Sequence, residues 1–543
     1  MRGIILRIFG ILFLSFVSLS SQAETLKAKR FIGYLQKGNF CSTEFLKEFN
    51  GTIFSTLSKE LYVLNCPVEN ENLEVKNPYV KFIYAKKLKK QGKTEEAKKL
   101  FKEIFSSTNR LDPEIITANA GDTKYLFTPE VLRKKVWIAI KDREFAEAEV
   151  YLSFLKTDPF YNYFKGIIQL KRGNYRKAKE YLESSNIPLR YFFLIYVSKE
   201  PAEKFFYFRK LLTENVPAYY KKAASVYLLD RFLVGEGGFY RKMLDSIKTL
   251  FPKVYRTYRI KYEVINYNYE KAINLIATPQ NEKEKVWRET LKAKLGFKSD
   301  YSFLIGKKDF YALLLSKPKK VVKEGNVEIS NPDIKYLLSN NYCPVISLLD
   351  LKSKDIPLAL YKCGYYSAAL KAAVKLKVKK PLQILYPKPK IFGDDFISLA
   401  IARQESLFNH LALSRSGAIG LMQIMPLTGR YLAKKLGDTD FFKEKLFIPE
   451  VNYRFGSFYI HSLLKKFKSF PLAAAAYNCG PGNLKKALKN YGKIKTKEDL
   501  IIFVDFYLPF KETRDYVKKV SRNLYFYSNL YGTGQEWKSF LKP

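Results

Sequence analysis

The chain has 543 residues, of which 47% are hydrophobic and 16% aromatic, with 27 Gly and 23 Pro. This composition excludes collagen-like, low-complexity and wholly disordered chains. Ninety-five Lys and Arg against 52 Asp and Glu give a net charge of +43, which attracts polyanions such as nucleic acid, acidic lipid or an anionic cell envelope. The alternative is a solvated Lys-rich surface with no dedicated ligand. Two His residues argue against a His-rich metal site.

Residues 1–23 have the pattern of a secretory signal peptide. Arg2 and Arg7 precede an apolar run from Ile8 to Leu19, and small residues stand three and one positions before a cut after Ala23. A membrane anchor is the alternative, but the run is shorter than the ~20 apolar residues needed to span a bilayer. We therefore predict an exported, periplasmic protein with no transmembrane segment in the mature chain and no nucleic-acid partner.

Export permits disulfides. The order of the five cysteines favours the local pairs Cys41–Cys66 and Cys343–Cys363, which leaves Cys479 free. Free buried thiols are the alternative, because sequence does not fix connectivity.

Residues 24–388 have the apolar periodicity of successive helices. A weak Gly-x-Tyr-x-x-Ala motif recurs there, in which a turn precedes a helix that opens around a small residue. Its alanines are Ala97, Ala148, Ala178, Ala272 and Ala369. The motif resembles tetratricopeptide-type helical hairpins, and its uneven spacing predicts an irregular α-superhelix that binds a long ligand or partner. A generic helical core is the alternative.

Two prolines in Tyr386-Pro-Lys-Pro389 interrupt this pattern and predict a domain boundary, with a second domain over 389–543. The first helix of that domain places Ile397, Ile401 and Glu405 on one stripe. Burial there raises the pKa of a carboxylate, which suits a general acid near neutral pH. The alternative is a solvated charge at a helix end.

Two stretches that contain no Asp or Glu follow, at 406–437 and 451–497. They hold Gly-punctuated turns with hydroxyl and amide side chains, beside Met and aromatic residues. Such groups suit a sugar, which offers hydroxyls, amides and apolar ring faces. The Gly-x-x-x-x-Gly-Lys-Ser/Thr pattern of a phosphate site is absent.

Four motifs in this region resemble, in order, those of the soluble lytic transglycosylase family. They are Ala402-Arg-Gln-Glu405-Ser406, Gly417-Ala-Ile-Gly420-Leu-Met-Gln423-Ile-Met425-Pro426, Ala476-Tyr477-Asn478-Cys-Gly480-Pro-Gly482 and Pro509-Phe-Lys-Glu512-Thr513-Arg514-Asp-Tyr516-Val. The resemblance covers residues from about 390 to 530. It implies an all-α fold, in which an N-terminal α-superhelix precedes a C-terminal goose-type-lysozyme-like α domain. It also implies cleavage of the bond between N-acetylmuramic acid and N-acetylglucosamine in peptidoglycan.

The same resemblance implies residue roles. Glu405 would be the catalytic acid/base, and Ser406 would help to position it. The implied lining of the glycan groove is Ser414, Gln423, Met425, Tyr477 and Asn478. Asp505 stands where the family usually has Glu, and would hold a substrate amide or tune Glu405.

The family's mechanism uses one carboxylate, whereas ordinary glycosidases use a pair. It implies that the substrate's N-acetyl group assists and that the product ends in a 1,6-anhydromuramoyl residue. No metal or organic cofactor is implied. The implied partners are peptidoglycan glycan strands and cell-envelope proteins.

The chain departs from the family pattern at His410, Ser416 and Cys479, which replace Pro, an apolar residue and a small Ala. A thiol nucleophile formed by Cys479 with His410 or His461 lacks an orienting partner. His461 lies in an apolar helical stretch and is expected to be structural. Two other functions stay open: a muramidase that uses water as acceptor, and a non-catalytic scaffold that binds the cell wall.

Overall fold

The computed structural model describes residues 27–38, 41–67, 73–108, 111–233, 237–319, 321, 327–379, 381–414 and 416–542. The predicted signal peptide lies outside these residues. Within them the chain is helical, and its β-structure is limited to isolated antiparallel bridges that join Ile419 to Leu413 and to Ile424. In this described part, every helix is too short or too polar to cross a membrane.

The helices follow one another with short connections. Those up to residue 183 are Lys27–Lys37, Thr43–Phe49, Ser55–Asn65, Pro78–Lys90, Thr94–Ser107, Pro113–Ala120, Pro129–Asp142, Phe145–Ser153, Tyr161–Lys171 and Tyr175–Glu183. The next group is Arg190–Val197, Pro201–Thr213, Ala218–Phe232, Gly237–Ile247, Pro252–Ile265, Tyr269–Leu275, Glu282–Lys294 and Phe310–Leu315. Then come Pro332–Ser339, Cys343–Ile346, Ile356–Lys362, Tyr366–Lys375 and Leu382–Leu385.

The C-terminal region contains Phe396–Glu405, Pro426–Leu436, Pro449–Phe467, Phe470–Cys479, Pro481–Tyr491, Lys497–Ile502, Lys511–Tyr531 and Glu536–Phe540. A π-helical turn covers Phe503–Tyr507, and short 3₁₀ turns cover Ser302–Leu304, Lys390–Phe392 and Lys443–Phe447.

The recurrent motif marks helical hairpins, as predicted. A helix begins just before each motif alanine, and all of these alanines are at most 1% exposed. The hairpin Tyr161–Lys171 with Tyr175–Glu183 shows why small residues are needed: a Cβ added at Gly166 would lie 2.6 Å from Leu182 Cγ. The helices of such a pair therefore approach closely enough to bury each other's apolar faces.

The chain divides into two compact units. The first comprises Met1–Asn186 and Glu324–Pro387, and the second comprises Ile187–Lys323 and Lys388–Pro543. The predicted boundary at 388/389 lies one residue from the last of these limits. The second unit, however, also takes in Ile187–Lys323, which the sequence pattern grouped with the superhelix.

The first unit joins distant parts of its sequence. The Asp350 carboxylate accepts hydrogen bonds from the Thr56 amide, at 3.0 Å, and from the Thr56 hydroxyl, at 2.6 Å. Both predicted disulfides, Cys41–Cys66 and Cys343–Cys363, are present in this unit.

In the second unit, Lys511–Tyr531 packs against Phe396–Glu405 and against Phe470–Cys479. The run of alanines at 473–476 is fully buried, and its small side chains allow this close packing. These three helices carry Glu405, Tyr477, Asn478 and Tyr516 of the candidate site.

Candidate active site

The helix Phe396–Glu405, here called the Glu405 helix, is fixed at its start by Asp395. That carboxylate caps the helix by accepting the Ser398 amide at 3.0 Å. It also accepts the Ser457 hydroxyl at 2.8 Å and lies 3.1 Å from His461 Nε2. Despite burial, these hydrogen bonds lower the pKa of Asp395 to about 2. His461 therefore contacts the cap of this helix and is half-exposed, so it is not packed in an apolar stretch, and its structural role stays a prediction.

The far end of the helix presents Glu405. Its carboxylate is partly buried, and the Tyr516 hydroxyl donates to Oε1 at 2.6 Å. Burial raises the pKa of Glu405 to about 7, and the nearby charge of Glu512 adds to the rise while the Tyr516 hydrogen bond opposes it. The expected rise for a general acid is therefore present.

Ser406 ends the helix and fastens it to the loop 412–425. Its amide donates to Ala402 O at 3.1 Å, and its hydroxyl donates to Leu421 O at 2.7 Å. Ser406 therefore links the Glu405 helix to the loop that carries Ser414 and Gln423.

The loop 412–425 is held by hydrogen bonds from its own side chains. Ser414 Oγ accepts the Ala418 amide at 2.8 Å. Gln423, in the left-handed region with φ of 51°, donates from Nε2 to Gly420 O at 2.9 Å and to Ala412 O at 3.2 Å. Ser414 and Gln423 are partly buried.

The fully buried side chain of Asn452 also holds this loop through hydrogen bonds. Its Oδ1 accepts the Met422 amide at 2.8 Å, and its Nδ2 donates to Ile419 O and Leu446 O, each at 2.8 Å. Sequence reasoning missed Asn452, because a buried Asn within a helix has no motif of its own.

Tyr477 and Asn478 lie at the end of Phe470–Cys479. The Tyr477 hydroxyl donates to Met422 O at 2.8 Å, and Asn478 Oδ1 accepts the Thr513 hydroxyl at 2.6 Å. Met425, 40% exposed, precedes the helix Pro426–Leu436. Hydrogen bonds thus connect the helix end at Glu405, the loop and the Tyr477 helix.

Asp505 lies in a different cluster. It is 1% exposed, and its carboxylate accepts Trp287 Nε1 and the Tyr311 hydroxyl at 2.8 Å each and pairs with Lys518. Burial opposes ionisation, but the charges of Lys518 and Lys283 hold the pKa of Asp505 well below its usual range. This carboxylate therefore has little surface left for a ligand.

Tyr516 is the other residue that sequence reasoning missed. It stands in the fourth motif, two positions after Arg514, but it received no role because its partner Glu405 is 111 residues away. Nothing local in the sequence predicts that contact.

Of the departures from the family pattern, His410 and Ser416 are exposed. Cys479 is a free, partly buried cysteine. Burial raises the pKa of Cys479 to about 11, so the thiol stays protonated and is a poor nucleophile.

The described residues contain no group of three or more His, Cys, Asp or Glu side chains placed to hold a metal ion. The prediction that no cofactor is needed stays a prediction.

The sequence of this region matches a described protein family: residues 393–500 match the profile of the transglycosylase SLT domain. This stretch, here called the SLT domain, is similar to that family. The SLT domain includes Glu405 and all the residues predicted to line the groove, whereas Asp505 and Tyr516 follow it.

Curated relatives are similar to a limited length of this chain. The soluble lytic murein transglycosylase of Salmonella typhimurium is 41% identical over 126 residues, which are 23% of this chain and 19% of the relative. The Escherichia coli K12 protein of the same name is 40% identical over an equal span. The matched stretch is thus about a fifth of each relative's length.

The likeness in structure extends over nearly the whole chain. The 70 kDa soluble lytic transglycosylase SLT70 from Escherichia coli aligns with a TM-score of 0.52 at 17% identity, over 92% of this chain and 91% of that one. An inactive mutant of lytic transglycosylase Slt from Pseudomonas aeruginosa aligns with a TM-score of 0.54 at 18% identity, over 94% and 92%. The predicted fold class, an all-α chain with an α-superhelix and a lysozyme-like α domain, is confirmed.

Proposed function

We propose that this chain is a peptidoglycan lytic transglycosylase that cleaves the β-1,4 bond between N-acetylmuramic acid and N-acetylglucosamine. The observation that carries the proposal is Glu405 itself, a partly buried acid with a pKa of about 7 within an SLT domain. Oε1 is held by Tyr516, whereas Oε2 has no hydrogen-bond partner in the part of the chain that the structure describes. An oxygen so placed is available to a substrate.

In the proposed reaction, protonated Glu405 gives its proton to the glycosidic oxygen, and the bond from muramoyl C1 to that oxygen breaks. N-acetylglucosamine leaves with a free 4-hydroxyl, and the muramoyl N-acetyl oxygen stabilises the positive charge at C1. The Glu405 carboxylate then takes the proton of the C6 hydroxyl as O6 bonds to C1. The acid is regenerated, and the product is a 1,6-anhydromuramoyl end with no water consumed.

A pKa near 7 suits both steps, because the same group must give and then accept a proton at neutral pH. The two-carboxylate mechanisms need a second acid as nucleophile or as base for water. The only carboxylate whose charge acts on the pKa of Glu405 among the described residues is Glu512, which is exposed on a helix surface. These facts support substrate assistance by the N-acetyl group.

We assign the glycan groove to the residues around the Glu405 helix end. In this proposal Ser406 keeps Glu405 in place, and its hydrogen bond to Leu421 O supports that role. The proposed sugar contacts are Ser414, Gln423, Met425, Tyr477 and Asn478. Their hydroxyl, amide and thioether groups match the hydroxyls, amides and apolar faces of a glycan. The predicted periplasmic location and a cell-envelope partner belong to the same proposal.

The experiment that tests the proposal is mass spectrometry of fragments released from purified peptidoglycan. The wild-type chain should release fragments with anhydromuramoyl ends, and Glu405→Gln should release none, because the amide keeps the shape and has no transferable proton. The inactive Pseudomonas aeruginosa mutant in the structural comparison carries a Glu-to-Gln change. Glu444→Gln, which alters an exposed carboxylate of the SLT domain, is the matched control and should stay active.

The other outcomes identify the alternatives. Reducing muramoyl ends would make the protein a muramidase, in which water replaces the C6 hydroxyl. Folded protein that sediments with peptidoglycan in a salt-dependent way but releases no fragments would indicate a binding scaffold.

A further inference from the structure

The helix Lys511–Tyr531, here called the Tyr516 helix, has polar contacts on two sides. Arg514 and Lys518 are four residues apart and lie on one face of the helix. Tyr516 stands between them in sequence and points away from that face, toward Glu405. One side of the helix therefore contacts Glu405, while Arg514 and Lys518 on the other side bind Asp230 and Asp505.

Arg514 is bound to Asp230, a residue of the Ile187–Lys323 segment. Its guanidinium donates to both carboxylate oxygens, at 2.8 and 2.9 Å, and the two side chains are only 7% and 11% exposed. The Tyr258 hydroxyl also donates to Asp230, at 2.7 Å. Both of these hydrogen bonds come from Nη2, while Nη1 donates to Leu508 O at 2.7 Å, so the guanidinium is held through two nitrogens.

Lys518 is bound one turn further along. It pairs with buried Asp505 and donates to the Tyr311 hydroxyl at 2.7 Å. Trp287 Nε1 donates to the same Asp505 carboxylate at 2.8 Å, and its ring lies 4.7 Å from that of Phe506. Trp287 and Tyr311 again belong to the Ile187–Lys323 segment.

We propose that these two buried ion pairs set the rotation of the Tyr516 helix and so hold the Tyr516 hydroxyl against Glu405. Asp230, Trp287 and Tyr311 are then positioning residues for the catalytic carboxylate, although they lie in the Ile187–Lys323 segment and not in the SLT domain. Asp505 acts on Glu405 in the same indirect way. The inference rests on the acid/base role proposed for Glu405.

The geometry makes Tyr516 sensitive to this restraint. Side-chain atoms lie about 5 Å from a helix axis, so a rotation of about 20° displaces them by about 2 Å. That displacement breaks a hydrogen bond of 2.6 Å. Two restraints a full turn apart oppose such a rotation more strongly than one, and removing one partner leaves a charge buried without compensation.

Loss of the Tyr516 hydrogen bond should change the pKa of Glu405 in a known direction. The bond stabilises the ionised form of Glu405, so its loss raises the pKa of Glu405. The titratable groups that face this carboxylate are Tyr516 and Glu512 of the Tyr516 helix and Tyr477 of the helix Phe470–Cys479. Only Tyr516 donates a hydrogen bond to it among the described residues.

The test is a double-mutant cycle between Asp230→Asn and Tyr516→Phe. Rates of fragment release from purified peptidoglycan are measured from pH 5 to 9. Tyr516→Phe should move the descending limb to higher pH by about one pH unit and lower kcat roughly tenfold or more, with KM unchanged. Asp230→Asn should move the limb in the same direction, and should move it no further when Tyr516→Phe is already present.

A second readout does not depend on activity. The carboxyl absorption of Glu405 in the infrared, obtained as wild type minus Glu405→Gln, titrates with the same pKa in the absence of substrate. If the wild type releases no fragments, the proposed function fails, but this titration still tests the positioning role. The same displacement is expected in Asp230→Asn and Tyr516→Phe.

The matched control is Glu284→Gln. Glu284 also binds an arginine at two points, with Arg256 Nη2 at 3.0 Å, and lies in the same Ile187–Lys323 segment. It should keep the wild-type pH profile. If Asp230→Asn does not fold, Trp287→Phe replaces it, because it keeps an aromatic ring beside Phe506 and removes one donor to Asp505.

The inference is overturned if Asp230→Asn or Trp287→Phe folds and leaves the Glu405 titration unchanged. It is also overturned if Asp230→Asn displaces the titration equally with and without Tyr516, since the effect would then bypass the hydroxyl.

Discussion

Glu405 is destabilising for the fold at neutral pH. Burial raises its pKa to about 7, whereas an unfolded glutamate ionises near pH 4.3. Between these values the folded state holds a proton that the unfolded state has lost, so the free energy of unfolding falls as pH rises from about 4 to 7. Above pH 7 the full penalty is present.

Glu405→Gln should therefore stabilise the protein, with an effect that depends on pH. At pH 8 we expect the free energy of unfolding to rise by roughly 3–4 kcal/mol, and near pH 4 we expect little change. Urea unfolding at both pH values measures the difference. Glu444→Gln, which changes an exposed carboxylate of the same unit, is the control and should show no such pH dependence. An equal effect of Glu405→Gln at both values would contradict the assigned pKa.

The loop 412–425 depends on glycines for two different reasons. Gly417 and Gly420 both have φ near +85°, a conformation that favours glycine. A Cβ at Gly417 would meet nothing within 4 Å, whereas one at Gly420 would lie 2.2 Å from Asn452 Nδ2 and 2.3 Å from Leu446 O. Gly420 is thus required for space as well as for backbone conformation.

We expect Gly417→Ala to cost about 1–2 kcal/mol of stability from backbone strain alone. Gly420→Ala should cost about 1–3 kcal/mol more, because Asn452 and Leu446 must move. Urea midpoints of the two variants separate the contributions, and equal destabilisation would show that the space at Gly420 is not limiting. Gly420→Ala should also lower fragment release, since Met422 in this loop holds Tyr477.

Local patterns predicted what depends on local structure. The motif around Ala178 predicted both the helix and the burial of that alanine. The apolar stripe from Ile397 to Glu405 predicted that Glu405 is partly buried. The contact of Tyr516 with Glu405 joins residues 111 apart, and that of Trp287 with Asp505 joins residues 218 apart. Such pairs have no periodicity in the sequence, and Asp505 looked like a ligand-binding residue because its partners were not visible.

At the scale of the whole molecule, the second unit is assembled from two separate stretches of chain. Lys294, from the first stretch, pairs with Asp499 of the second at 2.5 Å. Asp230 of the first stretch forms an ion pair with Arg514 of the second. Trp287 of the first stretch donates a hydrogen bond to Asp505 of the second. The predicted domain 389–543 therefore lacks, by itself, the partners of several buried charges.

A fragment of residues 389–543 should accordingly be less stable than the same residues in the full chain. Loss of one partner of a buried ion pair typically costs about 3–5 kcal/mol, and the ring of Trp287 would also be removed from Phe506. Thermal unfolding of the fragment and of the full chain, followed by near-ultraviolet circular dichroism, measures the difference. A fragment that unfolds at the temperature of the full chain would show that 389–543 is an independent domain, as the sequence pattern predicts.

The alternation of the two units along the chain also dictates an order of events during synthesis. The ribosome completes Ile187–Lys323 long before Lys388–Pro543, and the intervening Glu324–Pro387 belongs to the other unit. Until Lys388–Pro543 has been synthesised, Asp230 and Trp287 lack their partners Arg514 and Asp505. The candidate site around Glu405 therefore cannot form until both stretches of the second unit have been synthesised.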